Sequence, residues 1–219
     1  MDSVTLLARS ELFSTFGDGP LGKVAASARV LRFQRNELIF AEGDHADHLF
    51  VVRSGRIAIA NRSPDGRESV MALMEQGDLL GEMSLFLGEV RTAQARALEP
   101  TELLAVPFPA IREVLEAEPQ LLWGVVALLA GRLQSTDAVL ADSVFLDVTG
   151  RTAKRLLELA GDADEFVLPI TQEELAGMVG ASRERVNKAI SAFIRLGWIE
   201  QLDRRYRITD REQLARRAT

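Results

Sequence analysis

The chain has 219 residues, enough for one or two domains, and its 47 % hydrophobic residues suffice for a buried core. Cysteine is absent, which excludes disulfides, iron–sulfur clusters, thiolate zinc sites and cysteine nucleophiles. Two histidines, His45 and His48, are too few for a histidine-rich metal site. The sequence has no apolar run long enough for a membrane span and no secretory signal at its start. We therefore expect a soluble cytoplasmic protein.

Charge is distributed unevenly along the chain, although the formal net charge is −6. Residues 1–150 carry 13 Lys or Arg against 21 Asp or Glu, whereas residues 151–219 carry 13 against 11. An acidic first part and a mildly basic second part indicate two domains with different partners. The alternative interpretation is that the uneven distribution of charged residues is random.

The first part of the chain changes from a helical to a strand pattern. Residues 1–28 predict short helices with a break at Gly17, Gly19 and Pro20. Turn glycines then recur at spacings of 12, 11, 11 and 11 residues, at Gly43, Gly55, Gly66, Gly77 and Gly88. Short apolar or alternating segments lie between and after these turns: HLFVVR, RIAIAN, ESVMALM, TAQARAL and TELLAVPF. This pattern predicts a jelly-roll barrel of about eight strands over residues 29–107.

From Pro109 the apolar period is helical, and Pro119 stands near a predicted helix start. Apolar or small positions then follow at spacings of 4, 3, 4, 3 and 4: Leu122, Val126, Leu129, Leu133, Thr136 and Leu140. This spacing is that of a coiled-coil seam. It predicts a parallel two-stranded coiled coil, and therefore a homodimer through residues 119–142. The alternative is a long helix packed on its own barrel.

A predicted hinge at residues 145–150 separates the long helix from the second domain. Asp147 is the expected N-cap of a helix at about 148–160, and a short acidic loop follows at 161–167. Thr171 and Glu174 have the spacing of a capping box. Gly180 then supplies the tight turn of a helix-turn-helix, and Ser182 caps the second helix.

The second helix has the pattern of a DNA recognition helix. Its predicted core face consists of Val186, Ala189, Ile190, Phe193 and Ile194. Its polar face consists of Arg183, Glu184, Asn187, Lys188 and Ser191. Arginine suits guanine O6 and N7, and glutamate suits cytosine N4, so the first turn is suited to base edges in the major groove. The alternative is an ordinary amphipathic helix with a solvated polar face.

A hairpin is predicted after this helix, with strands at 198–202 and 206–208 around Asp203, Arg204 and Arg205. Its arginines would contact DNA phosphates as a basic wing. A surface hairpin with solvated arginines is the alternative.

Four motifs together carry a specific resemblance. They are Gly81-Glu82-Met83-Ser84 with Arg91-Thr92-Ala93, Arg132-Leu133-Gln134-Ser135-Thr136, the segment FLDVTGR at 145–151, and GASRERVNK at 180–188. The chain resembles the CRP/FNR family of bacterial transcription regulators over essentially its whole length. The resemblance implies an α+β protein with a β-roll (jelly-roll) cyclic-nucleotide-binding domain at 1–118. A dimerisation helix and hinge at 119–146 and a winged helix-turn-helix at 147–219 would follow.

The resemblance implies a cyclic AMP (cAMP) site formed by Gly81, Glu82, Met83, Ser84, Arg91, Thr92, Arg132, Thr136 and Asp137. Arg91 would bind the phosphodiester, helped by N–H groups of a short helix that starts near Gly81. Glu82 would accept the ribose 2′-OH, and Thr136 would accept the adenine amino group. A structural ion pair between Glu82 and Arg91 is the alternative. Asp137 is a departure, because it places a carboxylate where the best-known member of the family has a hydroxyl residue.

The expected DNA-binding residues are Thr171, Ser182, Arg183, Glu184, Asn187, Lys188, Arg204 and Arg205. They imply a near-palindromic site with a TGTGA-like half-site, although Lys188 replaces a base-reading arginine with a point charge. RNA polymerase is the other implied partner. The best-known member of the family contacts the polymerase with the loop that corresponds to 161–168, and this loop is short here.

The leading interpretation is a cAMP-responsive dimeric transcription regulator, not an enzyme. The first alternative is a regulator of the same type that acts without cAMP, constitutively or with another effector, as Asp137 suggests. The second is a cupin-type metalloenzyme, for which His45 and His48 lack a third histidine. We expect no metal.

Overall fold

The structure is a computed structural model that describes residues 1–62, 68–88 and 90–219. The turn predicted around Gly66 lies outside the described residues. The chain forms two compact units. The first comprises Met1–Asn61 and Ala72–Gln134, and the second comprises Arg62–Met71 and Ser135–Thr219.

Two short helices begin the first unit: α1 (Ser3–Arg9) and α2 (Asp18–Ser27). The expected break between them lies at Gly17, which is the N-cap of α2. Gly19 and Pro20 were wrongly assigned to this break, because they lie in the first turn of α2. Proline is tolerated there because the first N–H groups of a helix have no intrahelical acceptor.

Eight strands are described between Arg29 and Pro107, which confirms the predicted β-roll. They are β1 (Arg29–Phe33), β2 (Leu38–Phe40), β3 (His48–Ser54), β4 (Ile57–Arg62), β5 (Glu68–Met74), β6 (Leu79–Leu80), β7 (Gln94–Ala97) and β8 (Thr101–Pro107). They form two four-stranded sheets of order β1-β8-β3-β6 and β2-β7-β4-β5.

Strand β3 is buried on both faces, which explains its continuous apolar sequence. Leu49 and Val51 pack in a cluster that includes residues of α1 and α2. Phe50 and Val52 point to the opposite face, since side chains alternate along a strand, and they pack in a cluster with residues of both sheets. This second face directs Phe50 toward the candidate site described below.

Three helices complete the fold as far as the hinge: α3 (Met83–Leu87), α4 (Phe108–Ala117) and α5 (Leu122–Phe145), the last preceded by a 3₁₀ turn at Pro119–Leu121. The long helix is therefore confirmed. Val125 and Leu128 are buried by the rest of the chain. In the single chain, the predicted seam is exposed at Leu122, Val126, Leu129, Leu133, Thr136 and Leu140.

The second unit contains a helix-turn-helix, a helix that precedes it and a small sheet. Its elements are α6 (Val148–Ala160), β9 (Glu165–Val167), α7 (Gln172–Val179), α8 (Arg183–Arg195), β10 (Ile199–Leu202), β11 (Arg205–Ile208) and α9 (Arg211–Arg217). The Asp147 side chain caps α6 by accepting from the Gly150 N–H at 2.8 Å, as predicted. The sheet order is β10-β11-β9.

Two predictions in this unit are wrong. The acidic loop expected at 161–167 ends in strand β9, which pairs with β11 and stacks Phe166 on Tyr206 with ring centroids 5.7 Å apart. A strand of three residues is too short to give a periodic signal. Ile194 was expected in the core of α8, yet it is 41 % exposed because it lies in the last turn, near the end of the packed face.

Candidate ligand site and nucleic-acid interface

Gly81 and Arg91, predicted for one site, are in direct contact. Gly81 has a φ of +81°, in the region that favours glycine. A Cβ at this position would overlap Nη1 of Arg91. The backbone conformation therefore favours glycine at position 81, and the guanidinium in its observed place leaves no space for a Cβ.

Arg91 is a buried cation whose partners are neutral. It is 4 % exposed, and it donates from Nη1 to the Gly81 carbonyl at 3.1 Å and from Nη2 to the His48 carbonyl at 2.7 Å. Its Cζ lies 4.3 Å from the ring centroid of Phe40. Its Nε is buried and has no hydrogen-bond partner. Burial lowers the pKa of Arg91, and the nearest acidic side chains oppose this.

Glu82 is fully buried and pairs with the long helix. Its Oε1 lies 2.6 Å from Nη1 of Arg132, and Arg132 also donates from Nη2 to the Leu79 carbonyl at 2.7 Å. Neither Glu82 oxygen makes a hydrogen bond of acceptable geometry. Burial raises the pKa of Glu82, and the Arg132 charge opposes this rise. The ion pair considered between Glu82 and Arg91 is not among the ion pairs of the described residues.

The remaining predicted ligand residues differ in their availability. The Ser84 hydroxyl is buried and donates to the Val90 carbonyl at 2.9 Å. This hydrogen bond links the start of α3 to the residue before Arg91. Met83 and Thr92 are exposed neighbours, with 3.9 Å between Met83 Sδ and Thr92 Oγ1. Thr136 and Asp137 lie on α5 in the second compact unit, where both are exposed.

The helix-turn-helix has the local geometry that its sequence predicts. Thr171 caps α7 by accepting from the Glu174 N–H at 3.1 Å, and Glu174 accepts from the Thr171 N–H at 2.7 Å. Gly180 adopts the left-handed conformation at the end of α7. Ser182 caps α8 by accepting from the Arg185 N–H at 3.4 Å. These caps fix the start of α8, where the predicted base-reading side chains stand.

The polar face of α8 is open at three of its predicted DNA-binding positions. Arg183, Glu184 and Lys188 are exposed, whereas Asn187 is half-buried. The Asn187 Oδ1 atom is buried without a hydrogen-bond partner. The first turn of α8 therefore presents a cation and an anion side by side.

The wing arginines make contacts within their own domain. Arg204 donates from Nη2 to the carbonyls of Leu168, at 2.9 Å, and Ile170, at 3.3 Å. Arg205 pairs with Glu165 at 3.0 Å, and the hydrogen bond from Arg205 lowers the pKa of Glu165. A cavity of about 300 Å³ lies beside Arg204 and is also lined by Thr171 and Arg183.

Sequence reasoning missed the surroundings of Arg91. Phe40, Phe50 and the His48 carbonyl come from two strands of different sheets, and no spacing in the sequence relates them to Arg91. His48 itself pairs with Asp47 at 2.5 Å. No group of three or more His, Cys, Asp or Glu able to hold a metal occurs among the described residues.

Within the part of the chain that the structure describes, no single helix has the length and hydropathy of a membrane span. The pair Phe108–Ala117 and Pro119–Phe145, bent by 113°, passes that test together, by length and composition only.

A β-roll with a buried arginine and glutamate, followed by a helix-turn-helix, defines a ligand-binding transcription regulator. Sequence profiles of the cyclic nucleotide-binding domain and of the Crp-like helix-turn-helix domain match residues 30–118 and 150–217. The chain belongs to the CRP/FNR family of transcription regulators, a family of regulators rather than of enzymes.

Relatives match over most of this chain. A CRP-like cAMP-activated global transcriptional regulator of Mycobacterium tuberculosis is 37 % identical over 97 % of this chain and 98 % of its own. The cAMP-activated global transcriptional regulator CRP of Escherichia coli is 31 % identical over 73 % of this chain and 79 % of its own. The structure of FixK2 from Bradyrhizobium japonicum is 21 % identical with a TM-score of 0.79, covering 88 % of this chain and 98 % of its own, and supports the fold alone.

Proposed function

We propose that this protein is a cAMP-responsive homodimeric transcription regulator that binds near-palindromic DNA with a TGTGA-like half-site. One observation carries the ligand part of the proposal. A buried donor, Arg91 Nε, and a buried acceptor, the Glu82 carboxylate, both lack hydrogen-bond partners. Unsatisfied buried polar atoms are costly, and a cyclic nucleotide offers a phosphate acceptor and a ribose donor that would satisfy them.

The proposed ligand contacts follow this chemistry. Arg91 binds the phosphodiester and Glu82 accepts the ribose 2′-OH, while Thr136 on α5 accepts the adenine amino group. Gly81, Met83, Ser84, Thr92, Arg132 and Asp137 complete the proposed site. The choice of cAMP among cyclic nucleotides is supported by the relatives from M. tuberculosis and E. coli, which are named as cAMP-activated.

Dimerisation is proposed through α5, within residues 119–142. Leu133 and Leu140 are 63 % and 62 % exposed in the single chain, and an apolar seam of this length is stabilised by a second copy. The proposed domain limits are 1–118, 119–146 and 147–219. In the dimer, two copies of α8 would enter successive major grooves about 34 Å apart, with RNA polymerase as a further partner.

Calorimetric titration of nucleotide-stripped protein with cAMP, with cGMP as the reference ligand, tests the site. We expect saturable cAMP binding that Arg91→Ala abolishes or weakens at least about tenfold, because a hydrogen bond to a charged group contributes about 1.5–3 kcal/mol. Arg35→Ala removes an exposed arginine of the same unit and should leave the affinity unchanged. Equal binding by the wild type and Arg91→Ala would contradict the assignment.

The second candidate is a regulator of the same family that acts without cAMP. The exposed carboxylate of Asp137, next to Thr136 on α5, favours it by adding negative charge where an anionic ligand is proposed. Absence of cAMP binding over several temperatures, together with specific DNA binding, would support this candidate.

A further inference from the structure

We infer that Phe40 and Phe50 are positioning residues for Arg91. Their rings would hold its guanidinium so that the Nε edge stays available for a phosphodiester. This inference rests on the proposed nucleotide site, because it assigns two uncharged side chains a role in positioning the arginine of that site.

The two rings form one platform although they come from different sheets. Phe40 ends β2 and Phe50 lies in β3, and their rings stack with centroids 6.0 Å apart and an interplanar angle of 19°. The Arg91 Cζ lies 4.3 Å from the Phe40 centroid and 5.3 Å from the Phe50 centroid. Both distances are within the range of about 6 Å over which a ring face attracts a cation.

The hydrogen bonds of Arg91 complete this restraint. Nη1 and Nη2 are directed to the carbonyls of Gly81 and His48, and the platform supports the planar group. A guanidinium is a rigid fork, so fixing its two terminal nitrogens also fixes the direction of Nε–H. Nε is the one nitrogen of the group that is buried without a hydrogen-bond partner.

Neutral partners keep the positive charge available. A carboxylate at ion-pair distance would stabilise Arg91 but would also compete with an incoming phosphate. Ring faces and backbone carbonyls stabilise the cation without neutralising it. An anion that reaches the buried Nε edge can therefore make a charge-assisted and geometrically defined contact.

The test compares Phe40→Leu with Phe33→Leu. Phe33 packs against the same apolar cluster as Phe40, but its ring is not among those over Arg91, so it controls for loss of an aromatic ring from this core. The ligands are cAMP and its Rp and Sp phosphorothioates, which differ only in the exocyclic oxygen replaced by sulfur. A fixed guanidinium discriminates between these two ligands, whereas a mobile one does so less.

We expect Phe40→Leu to weaken cAMP binding about twofold to tenfold, because the freed guanidinium must then lose its rotamer freedom when the phosphate binds. Its Rp-to-Sp affinity ratio should also move toward one, while Phe33→Leu keeps the wild-type ratio. A wild-type ratio in Phe40→Leu, or the same change in both variants, would overturn the inference. Thermal melting checks that both variants fold.

A ligand-free measurement separates this inference from the proposed function. The Arg91 Nε–H signal in nuclear magnetic resonance, assigned by its loss in Arg91→Lys, should be shifted by ring currents in nucleotide-free protein. Phe40→Leu should reduce that shift, because only the more distant Phe50 ring remains over the guanidinium, and an unchanged shift would overturn the inference. If wild-type protein bound no cyclic nucleotide while the shift behaved as expected, the rings would fix Arg91 but the proposed function would fail.

Discussion

Glu82 is completely buried and two cations, Arg132 and Arg91, act on its charge. Its protonation should affect folding and ligand binding in opposite ways. Burial raises its pKa, so the folded state holds this proton to a higher pH than the unfolded state does. The resulting stability is fully present below the ordinary pKa and is lost as the pH rises through the raised value.

Ligand affinity should follow the carboxylate form of Glu82. Protonation weakens the proposed acceptor for the ribose 2′-OH, so cAMP affinity should fall as the pH is lowered through the raised pKa. Calorimetric titrations over a pH series measure this, with Glu82→Gln as the control that cannot titrate. A pH profile unchanged by Glu82→Gln would assign the effect to another group.

Arg183 should determine one base of the DNA half-site. It is exposed in the first turn of α8, where a bidentate contact to guanine contributes about 1–3 kcal/mol of discrimination. We expect Arg183→Ala to lose about 1–3 kcal/mol of binding free energy on the preferred duplex. The variant should also bind equally well when one guanine of that duplex is replaced by another base. Arg195→Ala, in the last turn of the same helix, should leave base preference unchanged. Equal weakening on every sequence would mean that Arg183 contacts only phosphate.

Among the secondary-structure elements, α5 carries the exposed apolar seam that we propose as the dimer interface. Leu133→Glu places a charge on the predicted seam, where Leu133 is 63 % exposed in the single chain. A charge in a coiled-coil core is strongly unfavourable, so sedimentation analysis should find monomers. Gln134→Glu adds the same charge at the adjacent exposed position and should preserve the dimer. A dimeric Leu133→Glu would place the interface elsewhere.

The elements that the sequence predicts well are those with strong local signals. The long helix follows from its apolar period, and the capping box at Thr171 follows from a side chain and an N–H group three residues apart. Strand β9 is defined instead by pairing with β11, so it has no comparable local signal. Helix α9 does have one, because Asp210 caps it by accepting from the Gln213 N–H, although this helix was not predicted.

The candidate site also has one part that the sequence predicts and one part that it does not. Gly81, Glu82 and Arg91 could be proposed from a motif in the sequence. The platform of Phe40 and Phe50 could not, because it depends on how two sheets pack against each other.

For the whole molecule, the proposal requires that ligand and DNA binding be coupled. If cAMP favours the conformation that binds DNA, DNA must raise the affinity for cAMP by the same factor. Coupling of this kind is typically about 1–3 kcal/mol, or about 5- to 150-fold. A population shift of that size requires that cAMP bind one conformation more tightly than the other by at least the same factor.

The most direct test is a fluorescence anisotropy titration of a duplex carrying two inverted TGTGA half-sites. Nucleotide-stripped protein is added with and without saturating cAMP, at one fixed salt concentration because DNA affinity depends strongly on salt. We expect an increase in affinity of about 5- to 150-fold with cAMP, which is absent for a scrambled duplex and in Arg91→Ala. Equal affinity with and without cAMP would contradict it and would identify a regulator that binds DNA independently of cAMP.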